Sequence, residues 1–447
     1  MSRPQPKFTV AICGAAIGGF SLAAFLSEYS DSQHPVNVDI YESRPEVSTR
    51  GAGIGIWKRS WQLLQNLGLD KELDRRGVPH PKDGEARGPV FRKSDQEAEG
   101  YEFHSHVMPY GPLTLTRPLL LELLQSKLSA DCTVHTNTHL VRYEDHAGGR
   151  ITLYFKDGTI SEADVLVGAD GVHSATRAVF FDNLALADPS KADVYRRCIP
   201  PRWSGQFVYR TLIPVEKLRN VNPRHIALSD RPQIFCGKSK HALTNPTGEV
   251  LNFVMFHTVF EECHDYDGEY ITELSKDEVA KAVEGWEPAV QELIKVSDTY
   301  TRWAVHVIDP IPLSVHGRVA LLGDAAHAML SHQGVGGGQA IEDAHILGRL
   351  LAHQAITKEN TPNALKIYQE LRLKASQKAA ERSKENGMMY EFIHPDFAFD
   401  SRKGEPTRDQ LTRLGQAIGD SFQWLAVGGC DEDWTMAENM LKNGSTL

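Results

Sequence analysis

The chain has 447 residues, a formal charge of −10, 41% apolar and 24% charged residues. That length exceeds one ordinary core and suits two interleaved domains around a shared cleft. The acidic balance, with no Lys/Arg-rich block, argues against nucleic acid as a partner, and no stretch reaches the roughly 18 consecutive apolar residues of a membrane span.

Met1 to Lys7 is polar and lacks an apolar run followed by a small-residue cleavage site, so a cytoplasmic location is expected. Phe8 to Cys13 is a short apolar run, as in a parallel strand buried on both faces, and it breaks at Gly14. Gly18 to Tyr29 carries Phe20, Leu22, Ala23, Phe25 and Leu26 at helical spacing. Val36 to Tyr41 then predicts a second strand ending at Glu42, completing a βαβ opening. Pro118, just after Arg117, predicts the first turn of a helix through Leu124, and Thr133 to Phe155 alternates as strands. Val165 to Val167 predicts a buried strand ending at Gly168-Ala169-Asp170-Gly171, and Val319 to Leu322 ends likewise at Gly323-Asp324. Three strand ends thus bring glycine and an acid to one edge.

Between about Arg202 and Trp303 the pattern turns to β-type alternation, as in Phe207-Val208-Tyr209 and Leu251 to Phe256, which predicts an inserted sheet domain roofing a substrate cavity. A helical pattern runs from the glycines Gly334 to Gly338 to about Tyr390. Pro395 to Thr407 is a polar break, and a last helical segment follows. Six cysteines, Cys13, Cys132, Cys198, Cys236, Cys263 and Cys430, stand far apart without C-x-x-C and are expected as reduced thiols. His327 and His332 lie five apart without an H-E-x-x-H or Cys/His array, so no metal site is expected.

Gly14-Ala15-Ala16-Ile17-Gly18-Gly19 follows a strand and opens a helix, and Glu42 closes the next strand twenty-three residues after Gly19. In that context the pattern is a dinucleotide fingerprint. The turn at Gly14 aims free N–H groups of the helix at a pyrophosphate, Gly19 permits close strand–helix packing, and Glu42 accepts ribose hydroxyls. Ala16 stands where the second glycine is usual, and its methyl group limits how closely the backbone approaches the pyrophosphate.

Two longer strings identify a family. Gly323-Asp324-Ala325-Ala326-His327 leads to Gln333-Gly334-Val335-Gly336-Gly337-Gly338-Gln339-Ala340-Ile341-Glu342-Asp343-Ala344, and Asp164 to Arg177 reads D-V-L-V-G-A-D-G-V-H-S-A-T-R. Together they resemble the FAD-dependent aromatic hydroxylases (class A flavoprotein monooxygenases), most closely the salicylate-hydroxylase-like branch, over roughly residues 8 to 385. The resemblance implies an α/β fold: a Rossmann-like FAD-binding domain from segments 1–185 and 303–390, an inserted, mainly antiparallel β-sheet substrate domain at 186–302, and a C-terminal helical extension at 391–447.

It also implies roles. Asp324 bonds the ribityl chain, and Gly336 and Gly337 open a helix whose positive end faces the flavin or pyrophosphate. Arg117 reaches the FAD phosphates, and Gly51-Ala52-Gly53-Ile54 forms the loop beside the flavin. Asp170-Gly171 and Arg177 serve FAD and a nicotinamide cofactor. With one dinucleotide fingerprint in the chain, NADH or NADPH is expected as a visiting co-substrate. The implied reaction reduces FAD, adds dioxygen and delivers one oxygen atom from a flavin hydroperoxide to a phenolic or aryl-acid ring, with oxidative decarboxylation open, in a monomer or homodimer.

At the substrate, His241 matches a histidine that some relatives place at the ring, with Asn245 where the family has tyrosine. A histidine satisfied within a sheet is the competing reading. Arg210 matches an arginine that anchors an anionic substrate oxygen, and a salt bridge between domains is its alternative. Ser331 stands where the family has proline before His332-Gln333-Gly334. Trp57 and Trp61 are expected in the core. Among other classes on the fold, a halogenase lacks its W-x-W-x-I-P signature, an epoxidase or reductase shares the FAD motifs, and a cofactor-less binding protein has only Ala16 in its favour.

Overall fold

The computed structural model describes residues 5–47, 53–81, 84–146, 148–259, 266–397, 399, 405–426 and 429–442. Six strands form a sheet in the order Val315–His316, Val319–Leu321, Val165–Gly168, Phe8–Cys13, Val36–Tyr41 and Cys132–His135, parallel except for the first pair. The apolar runs read from the sequence are its central strands: Val10, Ile12, Val165, Leu166 and Val167 have no exposed surface, as strands covered on both faces require. The opening helix Ile17–Tyr29 is apolar nearly all round because it packs between this sheet and a second helix, Gly336–Ala352. A methyl group on Gly348 would lie only 3.0 Å from Cβ of Phe25, so the glycine sets how closely the two helices approach.

The second large element is an eight-stranded sheet, in the order Ile271–Ser275, Thr299–Val307, Arg202–Pro214, Val250–Thr258, Lys240–Thr247, Gln233–Gly237, Ala86–Lys93 and Tyr101–Met108. All its pairs are antiparallel except Gln233–Gly237 with Ala86–Lys93. The sheet reaches beyond the 186–302 segment expected to build it. The chain leaves the first domain after the helices Lys58–Asn66 and Leu69–Arg75, lays two strands on the far sheet, and returns to pair Leu113–Thr116 with Gly53–Ile56. Those two strands carry charged side chains among their apolar ones, and Ala86–Lys93 joins a partner more than a hundred residues away, so their own sequence does not declare the sheet they enter.

One face of this sheet packs Tyr209, Phe235, Ala242, Phe253 and Met255 against the helices Lys276–Ala282 and Pro288–Val296. The opposite face carries a separate apolar patch of Val208, Val254 and Phe256, joined by Trp303 and Val305.

The C-terminal segment closes on both units. Arg408–Ser421 starts with a capping box at Thr407 and covers the edge strand Tyr101–Met108, with Gly415 seated on His104. Cys430–Lys442 adds Trp434 and Ala437 to the main core. Trp61 lies fully buried in that core, as expected, whereas Trp57 is partly buried and its indole N–H donates to the Gln333 carbonyl at 3.0 Å. The described cysteines Cys13, Cys132, Cys198 and Cys236 are free thiols. Among the described residues no helix is long and apolar enough to cross a membrane.

Candidate active site

Adjacent strand ends assemble a dinucleotide cradle. Gly14 has φ +108°, and any side chain there would strike the Ala169 carbonyl at 2.3 Å; a methyl group on Gly19 would lie 1.9 Å from the Gly14 carbonyl oxygen. Ala16 is the N-cap of the opening helix and offers no side-chain acceptor, and the first turn holds no acid, so that end is left positive for an anion. Glu42 reaches back across the turn: one carboxylate oxygen accepts the Ala15 N–H at 3.1 Å and the other the Arg44 N–H at 2.9 Å. Because the Ala16 methyl group limits how closely the backbone approaches a pyrophosphate, Ala16→Gly is expected to tighten FAD binding a few fold. Titration of the apoprotein with FAD measures this.

The second half of the cradle is the start of Gly336–Ala352, which also lacks a side-chain cap and an acid in its first turn. Gly337 and Gly338 admit Ile54 and the Ser60 hydroxyl, which methyl groups on them would approach to 2.7 Å, so the loop strand at Gly53 and this helix end are in contact. Gly51 and Ala52 lie outside the described residues. Asp324 is exposed while Gly323, Ala325, Ala326 and His327 around it are buried. The surrounding protein raises its carboxyl pKa against the opposing charges of His327 and Arg117. Arg117 itself keeps a buried Nε with no partner. An orphaned guanidinium N–H, two uncapped helix ends and an exposed acid between them fit a dinucleotide that brings phosphates and hydroxyls.

A buried charge network fixes this edge from behind. Asp343 accepts from the Gly323 N–H at 3.2 Å and contacts His327 Nε2 at 2.6 Å, and Arg372 donates to Asp343, Glu342 and Gln339 at 2.9, 3.1 and 2.8 Å. Burial raises the Asp343 pKa, but His327 and Arg372 outweigh it and hold the carboxylate ionised. Asp433 of the last helix lies 3.8 Å from both Arg59 and Arg372.

The motif at Asp170 and Arg177 is used internally. Asp170 accepts from the Ser174 hydroxyl and from the Thr176 N–H and hydroxyl at 2.9 and 3.0 Å, at the start of the helix Ala175–Ala187. Arg177 is wholly buried and donates to the carbonyls of Val172, Ile199 and Ala325. Here the pair shapes the cleft wall beside Asp324, with its polar atoms already engaged.

Arg210 and His241 share one face of the large sheet. Arg210 pairs with Val254, which pairs with Leu243; Val208 pairs with Phe256, which pairs with His241. Those two rows place Arg210 and His241 roughly 12 Å apart, from a strand spacing of about 4.8 Å and a rise of about 3.3 Å per residue. Val254 and Phe256 of the apolar patch lie between them. Half-buried Arg210 has no ion pair or side-chain hydrogen bond among the described residues, and burial lowers its pKa. Asn245 lies on the same face, four residues along the strand from His241.

His241 is buried, stacks on Phe256 at 4.5 Å and holds Glu391 at 3.0 Å through Nδ1. Glu391 also accepts a hydrogen bond from the Thr258 hydroxyl. The ring of His332 lies 5.2 Å from His241 and 4.8 Å from Phe256, with both of its nitrogens buried and unpaired. It fits because Gly387 of the helix Thr361–Tyr390 leaves room, where a methyl group would meet the ring at 2.2 Å. His332 thus ties the glycine loop at the cofactor cradle to the sheet face. Sequence reasoning weighed His332 only as a metal ligand and passed over Glu391 and Thr258. The glycine-rich string that follows His332 was a usable signal for it, but an acid following a long helix gave none.

Burial lowers His241 and His332 to about 3 and raises Glu391 from 4.5 to about 7. Buried His345 is lowered to about 3 as well. A histidine neutral in the fold takes up a proton on unfolding below its ordinary value near 6.5, so its contribution is present above that pH and lost as the pH falls toward 3. Glu391 acts in the opposite sense, losing its contribution as the pH rises from 4.5 through about 7, and one group offsets only part of three. Denaturant midpoints are therefore expected to fall on acidification below about pH 6.5.

Fold and site together define an FAD-binding protein with an apolar patch on the sheet face that His332 links to the dinucleotide cradle. The family model described as FAD binding domain matches residues 7–181 and 265–383. A salicylate hydroxylase of Pseudomonas putida is 30% identical over 453 residues, covering 99% of this chain and 97% of that protein. A 6-hydroxynicotinate 3-monooxygenase of Pseudomonas fluorescens is 28% identical, covering 87% of this chain and 94% of that protein. A solved salicylate hydroxylase substrate complex superposes with a TM-score of 0.81 at 27% identity, covering 97% and 98% of the two chains. The chain belongs to the FAD-dependent aromatic hydroxylases, in their salicylate-hydroxylase-like branch, and is an FAD-dependent monooxygenase.

Proposed function

We propose that the protein hydroxylates a phenolic aryl-carboxylic acid, with NADH or NADPH as a visiting reductant and dioxygen as oxidant. The observation that carries this reading is Arg210. A half-buried guanidinium at the rim of an apolar patch, with no counter-ion among the described residues, calls for an anionic ligand, because unpaired buried charge is costly and a carboxylate matches its fork. The patch of Val208, Val254, Phe256, Trp303 and Val305 accepts the ring and excludes water.

Residues that would hold FAD are Gly14, Ala16, Gly19 and Glu42 for the adenosine side, Arg117 for the phosphates, and Gly53, Asp324, Gly336 and Gly337 for the ribityl and ring side. When bound, FAD would pass electrons from the nicotinamide to dioxygen, the source of the oxygen atom transferred to the ring. The chain's own contribution is to bind and orient the acid through Arg210, keep the patch dry, and take up the phenol proton at His241, which makes the ring more nucleophilic. Neutral His332 lies between cradle and sheet, against His241 and Phe256.

The test is NADH and NADPH oxidation by the FAD-loaded protein with salicylate, 4-hydroxybenzoate and plain phenol, with products identified by mass spectrometry. Substrate-stimulated oxidation yielding a hydroxylated ring, faster for the acids than for phenol, is expected. Loss of the carboxyl group as carbon dioxide from salicylate would add decarboxylation. Oxidation indifferent to all three compounds would refute the reading.

A further inference from the structure

Behind His241 stands a carboxylate with no part in the reading above. Glu391 follows the helix Thr361–Tyr390, has no exposed surface, and is fixed by its backbone as well: its N–H donates to the Gly387 carbonyl at 3.0 Å and its carbonyl accepts the Ser239 N–H at 2.9 Å. One side-chain oxygen faces Nδ1 of His241 at 3.0 Å, and the other accepts the Thr258 hydroxyl, whose oxygen in turn accepts from Gln206 Nε2 at 2.8 Å. The titratable groups around it come from four elements. His241 and Lys240 lie on one strand, Cys236 on the next, His332 on the glycine loop, and Tyr390 on its own helix. Thr258 is the uncharged donor from a further strand. Lys240 and His332 act on Glu391 at a distance, without an ion pair among the described residues.

We propose that Glu391 is a positioning residue that ends a proton relay through His241, so that the substrate's phenol proton comes to rest on a buried carboxylate. The proposal rests on the reading that His241 faces a phenolic substrate. In the relay the substrate O–H bond breaks as Nε2–H forms, and Nδ1–H breaks as the Glu391 O–H bond forms. The imidazole ends neutral, the substrate gains the negative charge that the carboxylate loses, and no oxidant or reductant is needed. The reverse shift returns the proton to the product oxygen.

The environment dictates the direction. A buried imidazolium is disfavoured here, since burial holds His241 near 3, while burial favours the neutral acid at Glu391, near 7. Ionised Glu391 also selects the His241 tautomer with the proton on Nδ1, leaving Nε2 as an acceptor.

The experiment follows substrate-dependent turnover of the FAD-loaded enzyme with salicylate from about pH 5 to about pH 9. Glu391 must be ionised to receive the proton, so the wild type is expected to gain rate through a limb near pH 7. Glu391→Gln is expected to retain flavin but to lose about 10²-fold in kcat along with that limb. Thr258→Val removes a hydrogen bond to the ionised carboxylate and is expected to move the limb up by roughly one pH unit. A Glu391→Gln enzyme with unchanged rate and limb overturns the proposal; should that variant not fold, a Thr258→Val limb that stays in place does so instead.

Nitrogen-15 NMR of His241 supplies a reading independent of turnover. Nδ1–H is expected above about pH 7 in the wild type, and the opposite tautomer there also overturns the relay. Wild type that hydroxylates no phenol would sink the functional reading, while the tautomer would still score Glu391.

Discussion

Replacing Arg372 with methionine is expected to destabilise the protein by about 3–5 kcal/mol, the usual result of leaving buried carboxylates without their cation. Arg372 is almost wholly buried and binds Asp343, Glu342 and Gln339 at once. Methionine approximates its volume but none of its donors, so Asp343 loses its guanidinium and Glu342 is left with Arg59, at 3.3 Å. The damage should reach the cofactor, because the Asp343 oxygen that binds His327 also holds the Gly323 N–H beside Asp324. Denaturant unfolding followed by circular dichroism, with flavin content measured on the same samples, checks both parts. Arg372→Met combined with Glu342→Gln and Asp343→Asn should recover part of the loss by removing the stranded charges. A single variant that unfolds within about 1 kcal/mol of the wild type and keeps its flavin would show that the network does not hold the cradle.

Arg210→Ala is expected to raise KM for aryl carboxylates about 10- to 100-fold, the equivalent of one charge-assisted hydrogen bond of roughly 1.5–3 kcal/mol, while KM for an uncharged phenol changes little. Stability should behave differently from Arg372→Met. Arg210 has no ion-pair partner among the described residues and its charge is disfavoured by burial, so its removal should leave the unfolding midpoint unchanged or slightly raised. Steady-state kinetics with salicylate and phenol, next to a thermal melt, separate these outcomes. A uniform loss on both substrates, or a marked fall in stability, would mean that Arg210 supports the sheet instead of the substrate. One arginine is buried and the other half-buried in the same chain, and their environments predict opposite consequences.

Much of the cofactor edge was legible in the residues themselves. The turn at Gly14, the tight contact at Gly19 and the strand-end acid Glu42 are local features, each set by neighbours within one βαβ unit, so their pattern survives in linear order. The glycine run at Gly336 is similar, since an uncapped helix start shows directly in the residue types. The motif at Asp170 and Arg177 was less transparent. Its residues were visible, but only the fold shows that Arg177 spends its donors on the carbonyls of Ile199 and Ala325, the second nearly 150 residues away.

The sequence by itself determined the fold class and the dinucleotide edge, because apolar runs buried on both faces and glycines at strand ends record their environment residue by residue. Only the tertiary structure decided the substrate face. It pairs strands from segments as distant as Ala86–Lys93 and Gln233–Gly237, seats His332 against Gly387, and brings Glu391 from beyond the long helix to Nδ1 of His241. Strand order and the partner of a buried acid are long-range choices. They are settled by which surfaces exclude water together and which polar atoms then remain to be paired, and neither quantity is written in any short stretch of chain.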